Sequence, residues 1–122
     1  MPDISYGISL TINKDNLVNQ VSATNIAATM DVAGLKSVTY TLTTNATSIS
    51  TANLSSVGVA FLRNLSTATA STAQIGIEAG GSFVSFSTLK AGEPQLFRLS
   101  AGTDYKAVGK SGTRLRVDIT EG

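Results

Sequence analysis

Ile4, Tyr6, Ile8, Leu10 and Ile12 alternate with Ser5, Gly7, Ser9 and Thr11. A period of two over this length predicts a strand with one apolar and one polar face, half-buried against a core. Asn13-Lys14-Asp15-Asn16 supplies the turn that ends it. Residues 17–32 carry less order. Leu17, Val18 and Val21 suit a strand or one helical turn, and Thr24-Asn25 could cap a short helix in which Ile26, Ala27 and Met30 share a face. Thr29, Val32 and the scarcity of charge favour a strand. Gly34 marks the next turn.

Alternation returns with Val38, Tyr40 and Leu42 against Ser37, Thr39, Thr41 and Thr43, a second well-marked strand. Residues 45–56 are mostly Thr, Ser, Ala and Asn, with room for a short strand near residues 47–50 or a long surface connection. Residues 57–63 are apolar or small on both faces, as in a central strand, and Gly58 there predicts a bulge or a close backbone approach. A Ser/Thr/Ala loop spans 64–72. Two strand patterns at 73–78 and 82–88 then flank Ala79-Gly80-Gly81, a hairpin signal.

The most sharply punctuated stretch is Leu89 to Leu99. Gly92 frees the backbone, Pro94 opens a strand, Glu93 is expected to cap nearby amides or face solvent, and Phe97 and Leu99 point to the core. Residues 105–108 form a short strand. Gly109-Lys110-Ser111-Gly112 makes a tight connection, and Leu115, Val117 and Ile119 alternate with Arg114, Arg116 and Asp118. Eight to ten short strands at this spacing predict an all-β chain: an antiparallel two-sheet β-sandwich, jelly-roll-like, in one domain over residues 1–122.

Composition narrows the chemistry. The 122 residues contain no Cys and no His, which removes thiol catalysis, thiolate metal sites and the commonest general base. Net charge is +1 and charged residues are 14% of the chain, so no basic stripe stands out for nucleic acid or a membrane surface. No run approaches the ~20 apolar residues of a spanning helix. The first residues lack a secretory leader pattern, and synthesis in the cytoplasm is expected. No catalytic, cofactor-binding or metal-binding residue emerges, and an enzyme is not expected.

Gly109-Lys110-Ser111 has Asp104 where a phosphate loop needs Gly, and a strand follows where that loop needs a helix, so it reads as a hairpin turn. Asn45, Asn53 and Asn64 begin glycosylation-type triplets, but about a quarter of the chain is Ser or Thr and such matches arise by chance. The acids show no calcium-loop or carboxylate-pair spacing. Arg63, Arg98, Arg114 and Arg116 fall on strands rather than loops; they are either outer-face charges that discourage edge pairing or a candidate subunit interface. Phe61, Phe83, Phe86 and Phe97 are expected in the core rather than on a binding platform.

The second half has a recognisable cadence. It runs from Val57-Gly58-Val59-Ala60-Phe61-Leu62-Arg63-Asn64-Leu65 through the Gly-Gly hairpin and Leu89-Lys90-Ala91-Gly92-Glu93-Pro94 to Arg114-Leu115-Arg116-Val117-Asp118-Ile119. Over residues 55–122 this resembles small β-sandwich virion structural proteins of tailed bacteriophages, of the capsid decoration (cement) or head–tail accessory type. The resemblance implies a decoration protein that stabilises the head shell, located in the virion and partnered by the major capsid protein or other virion proteins. It also implies a homo-oligomer without cofactors, nucleic acid or membrane. The alternative is a tail, neck or head-fibre component, host-binding through its Ser/Thr/Asn loops. A free-standing carbohydrate-binding module ranks below both, since the chain has no Trp and three Tyr.

Overall fold

The computed structural model describes residues 3–30, 33–52, 54 and 56–122. Ten strands follow in order: β1 (Ile4–Lys14), β2 (Leu17–Ala28), β3 (Leu35–Thr41), β4 (Thr47–Ser48), β5 (Val57–Asn64), β6 (Ala73–Ala79), β7 (Ser82–Leu89), β8 (Pro94–Arg98), β9 (Tyr105–Gly109) and β10 (Arg114–Glu121). The chain divides into two compact units, Met1–Asp31 and Val32–Gly122. The sandwich, expected over 1–122, takes its eight strands from the second unit.

Those eight strands pair as a chain doubled back on itself. β3 pairs with β10, β4 with β9, β5 with β8 and β6 with β7, all antiparallel. The fold-back point is the Gly80-Gly81 turn, where both glycines have positive φ (60° and 81°) as a primed hairpin turn requires. The doubled chain wraps into two four-stranded sheets of order β3-β10-β5-β8 and β4-β9-β6-β7. This is the strand order of a jelly roll.

The core lies between the sheets. Leu115, Val117 and Ile119 of β10, Ala60 and Leu62 of β5, Ile75 of β6 and Ala107 of β9 are buried, with Leu42, Ile49, Leu89, Leu99 and Tyr105 closing it. The polar face of β3 (Ser37, Thr39, Thr41) is exposed, as its alternation predicts. Gly58 meets the expectation set for it. A Cβ there would lie 2.5 Å from the Glu121 carbonyl oxygen, beside the register shift between Ile119 and Glu121. The following amide, Val59, donates to Thr120 Oγ1 at 3.0 Å.

Two expectations are corrected. Asn64, expected to open a loop, instead ends β5 and is fully buried, which agrees with the reading of its triplet as a chance match. Its Nδ2 donates to the carbonyl oxygens of Ser71 (2.7 Å) and Leu89 (3.1 Å), and its Oδ1 accepts from the Ser66 amide (3.0 Å). No glycan could be carried there. Asn45 is exposed, and Asn53 lies outside the described residues. Of the phenylalanines expected in the core, only Phe97 packs against it. Phe61 and Phe86 are exposed, while Phe83 and Phe97 are half-buried. Small residues such as Ala60, Ala73 and Ala107 bring the sheets together, and the Phe86 ring meets Phe97 and Tyr105 edge-on, with Phe97 tilted against Tyr105, at the margin where β7 and β8 run.

The first unit is a two-stranded ribbon of β1 and β2 joined at Asp15-Asn16. Pairing of Ile4 with Ala28, Tyr6 with Ile26, Ile8 with Ala23 and Leu10 with Val21 puts these side chains on one face. Ser5, Ser9, Thr11, Gln20 and Ser22 take the other. Gly7 stands opposite two residues, Thr24 and Asn25, in a bulge with Asn25 at φ 57°. The extra residue keeps Val21 and Ala23 on the same face as Ile26 and Ala28. Residues 17–28 are therefore strand throughout, and the helical alternative falls away.

Candidate assembly surfaces

The outer face of the β3-β10-β5-β8 sheet carries every arginine in the chain. Arg114 and Arg116 project from β10, Arg63 from β5 and Arg98 from β8, on positions that alternate with the buried core residues. The register makes this a compact array. Arg116 is directly opposite Arg63, which is opposite Pro94; Asp118 is opposite Phe61, which is opposite Leu96. Arg114 faces Thr41 and Arg98 faces Val59. All four arginines are exposed.

One anionic side chain on these strands answers them. Asp118 Oδ2 lies 3.0 Å from Arg116 Nε. The Arg63 Nε donates to the Gly92 carbonyl oxygen at 3.2 Å, which fixes the stem of that side chain against the β7–β8 turn. Arg98 and Arg114 make no ion pair with any described residue. Like charges directly across a sheet, as at Arg63 and Arg116, destabilise it unless an anion lies between or beside them. The face thus carries three uncompensated guanidinium groups around an apolar centre of Phe61 and Leu96.

The opposite sheet differs in kind. Its outward positions include Gln74, Gly76, Ser85 and Thr88, and its two charged residues pair with each other, Lys106 Nζ lying 3.0 Å from Glu78 Oε2. Shallow depressions at the sandwich surface are lined by Thr44, Thr72, Gln74 and Lys110, and by Thr69, Lys90, Ala91 and Glu93. Among the described residues, no group of three or more carboxylates is placed to hold a metal ion. The Gly109–Gly112 segment is a turn: the Thr113 amide donates to the Lys110 carbonyl oxygen at 2.9 Å, Gly112 has φ 92°, and strand β10 follows.

The second surface belongs to the ribbon. Its apolar face is open, with Ile8 51%, Leu10 55%, Leu17 62% and Val21 53% exposed. The sequence led us to expect this strand to be half-buried. Alternation placed the apolar residues on one face, but in the ribbon that face is exposed rather than half-buried. The four arginines were legible as residues on strands, whereas their convergence on one face follows from the strand order, which periodicity does not encode.

No family model matches the chain, and no curated protein matches its sequence. Among solved structures, it is similar to a subunit of Bacillus endospore appendages, which are described as a family of disulfide-linked pili. The likeness covers 81% of this chain and 100% of that one, with a TM-score of 0.50 and 16% sequence identity. At that identity the likeness concerns the fold, an all-β one.

Proposed function

We propose that this chain is a structural subunit that works by assembling in many copies. The observation that carries the reading is the ribbon of β1 and β2. A lone two-stranded ribbon is marginally stable in water, yet this one presents a continuous face of Ile, Leu, Val and Tyr whose only charges lie at its ends, at Asp3, Lys14 and Asp15. The simplest partner is the same face of a second copy. Two such ribbons stacked apolar face to apolar face form a two-layer sandwich ~10 Å thick, with the Ser/Thr faces outside.

The setting that the cadence of residues 55–122 supports is a tailed-bacteriophage virion, with the chain decorating the head shell and stabilising it by mass action. A second reading is a filamentous appendage, favoured by the likeness to the endospore appendage subunit. Those pili are disulfide-linked, and this chain has no Cys. A filament of this chain would be held by non-covalent packing alone and would be insensitive to thiol reductants.

Molar mass in solution, measured by light scattering after size exclusion, tests the common premise. The full chain is expected to run as an oligomer and the Leu10→Ser/Val21→Ser variant as a monomer with the sandwich intact. A monomeric parent protein at about 100 μM, well above a micromolar dissociation constant, would overturn the reading. Electron microscopy then separates the settings, since a filament grows without a shell and a decoration protein orders on one.

A further inference from the structure

We propose that the arginine face of the β3-β10-β5-β8 sheet docks an acidic polypeptide surface of a different protein. The inference does not rest on self-assembly through the ribbon, which is a separate surface with a different chemistry.

Three observations fix the class of partner. First, the face gathers all four arginines and one aspartate, while the opposite outer face is neutral. A chain of net charge +1 has gathered its arginines on one face, where they can act together. Second, Arg63 and Arg116 stand directly across from each other, a placement that an incoming carboxylate converts from repulsion to a clamp. Third, Phe61 is 37% exposed amid the arginines and borders Leu96. Arginine around an exposed aromatic is the composition of protein-interface anchors.

The same observations select against other occupants. A nucleic-acid backbone would bring phosphates onto Asp118, which lies within the array, and would find no extended basic stripe. A second copy of this chain has little to offer. Glu78 is paired with Lys106, and the other carboxylates are dispersed, with no three clustered among the described residues. The partner is therefore a different polypeptide that presents several carboxylates around an apolar contact.

The test uses the full chain and a fluorescent polyglutamate peptide of about ten residues, titrated at about 20 mM salt so that surface charges are little screened. Single-stranded oligothymidylate of similar charge is the comparison probe. Arg63→Gln/Arg98→Gln/Arg114→Gln should weaken peptide binding at least tenfold. Lys14→Gln/Lys90→Gln/Lys110→Gln removes the same charge elsewhere and should change it less than twofold. Phe61→Ala should weaken binding severalfold without changing net charge. If the triple arginine variant fails to give the parent's far-ultraviolet spectrum, Arg98→Gln alone serves, with a loss of about threefold expected. The proposal is overturned if the two triple variants behave alike, if oligothymidylate binds more tightly than the peptide, or if the parent protein binds neither.

Discussion

The side-chain amide of Asn64 donates to the Leu89 carbonyl oxygen at 3.1 Å, tying the end of β5 in one sheet to the end of β7 in the other. The Asn64 backbone joins the same corner: its amide donates to the Glu93 carbonyl oxygen and its carbonyl oxygen accepts from the Gly92 amide. Asn64→Ala strips a buried hub and leaves main-chain carbonyls without donors. We expect a loss of about 2–4 kcal/mol, more than one ordinary hydrogen bond contributes, because buried polar groups are left unpaired. Asn64→Asp should cost at least as much, since the carboxylate has no donors for the two carbonyls. Urea unfolding of both variants checks this.

Gly76 is the second position where the backbone decides. A Cβ there would collide with the Val84 carbonyl oxygen and approach Ser85 Cα to 2.8 Å, both main-chain atoms of the neighbouring strand at its bulge. Gly76→Ala should destabilise the sandwich by about 1–3 kcal/mol, as overpacking does, and lower the thermal midpoint. An unchanged midpoint would mean that the β6–β7 bulge yields freely.

Thr113 points the other way. It is fully buried, and its Oγ1 has no hydrogen-bond partner among the described residues. Valine has nearly the same shape without the unsatisfied hydroxyl. Thr113→Val should raise stability by about 1 kcal/mol. Calorimetry should show the gain, and a loss would reveal a bound water serving the hydroxyl.

Phe97 separates two estimates of the core. A fully buried phenylalanine costs about 3–5 kcal/mol when cut to alanine. Phe97 is half-buried, its ring 5.8 Å from Phe86 and 5.9 Å from Tyr105. Phe97→Ala should therefore cost about 2 kcal/mol, part of it lost ring–ring contact. A double-mutant cycle with Phe86→Ala measures that share as a coupling of about 0.5–1.5 kcal/mol.

Strand positions were legible because alternation survives in a half-exposed sandwich. β1, β3 and β10 each keep one parity from end to end. Residues 17–28 were not, and the reason is specific. Leu17, Val21 and Ala23 occupy odd positions, while Ile26 and Ala28 occupy even ones. The bulge at Thr24-Asn25 absorbs that change of phase, so a pattern that looked helical is a strand with one inserted residue. Glu93 was read correctly from its turn: its Oε1 accepts the Lys90 amide at 2.6 Å. The burial of Asn64 is not legible in the sequence, because a buried asparagine between a strand and a Ser/Thr loop carries the same local signature as an exposed one.

Strand β10 lies between β3 and β5, which have no hydrogen bonds to each other. Without β10 the first sheet is reduced to the β5-β8 pair. Until residues 114–121 have been synthesised, β3 lacks its only sheet neighbour and β5 has β8 alone. A ribosome-bound chain therefore holds two incomplete edges open, and folding must then close long connections, residues 65–113 and 42–113, a topology that folds slowly. Before that moment the exposed strands are the species most open to capture by a chaperone or to pairing with another nascent chain.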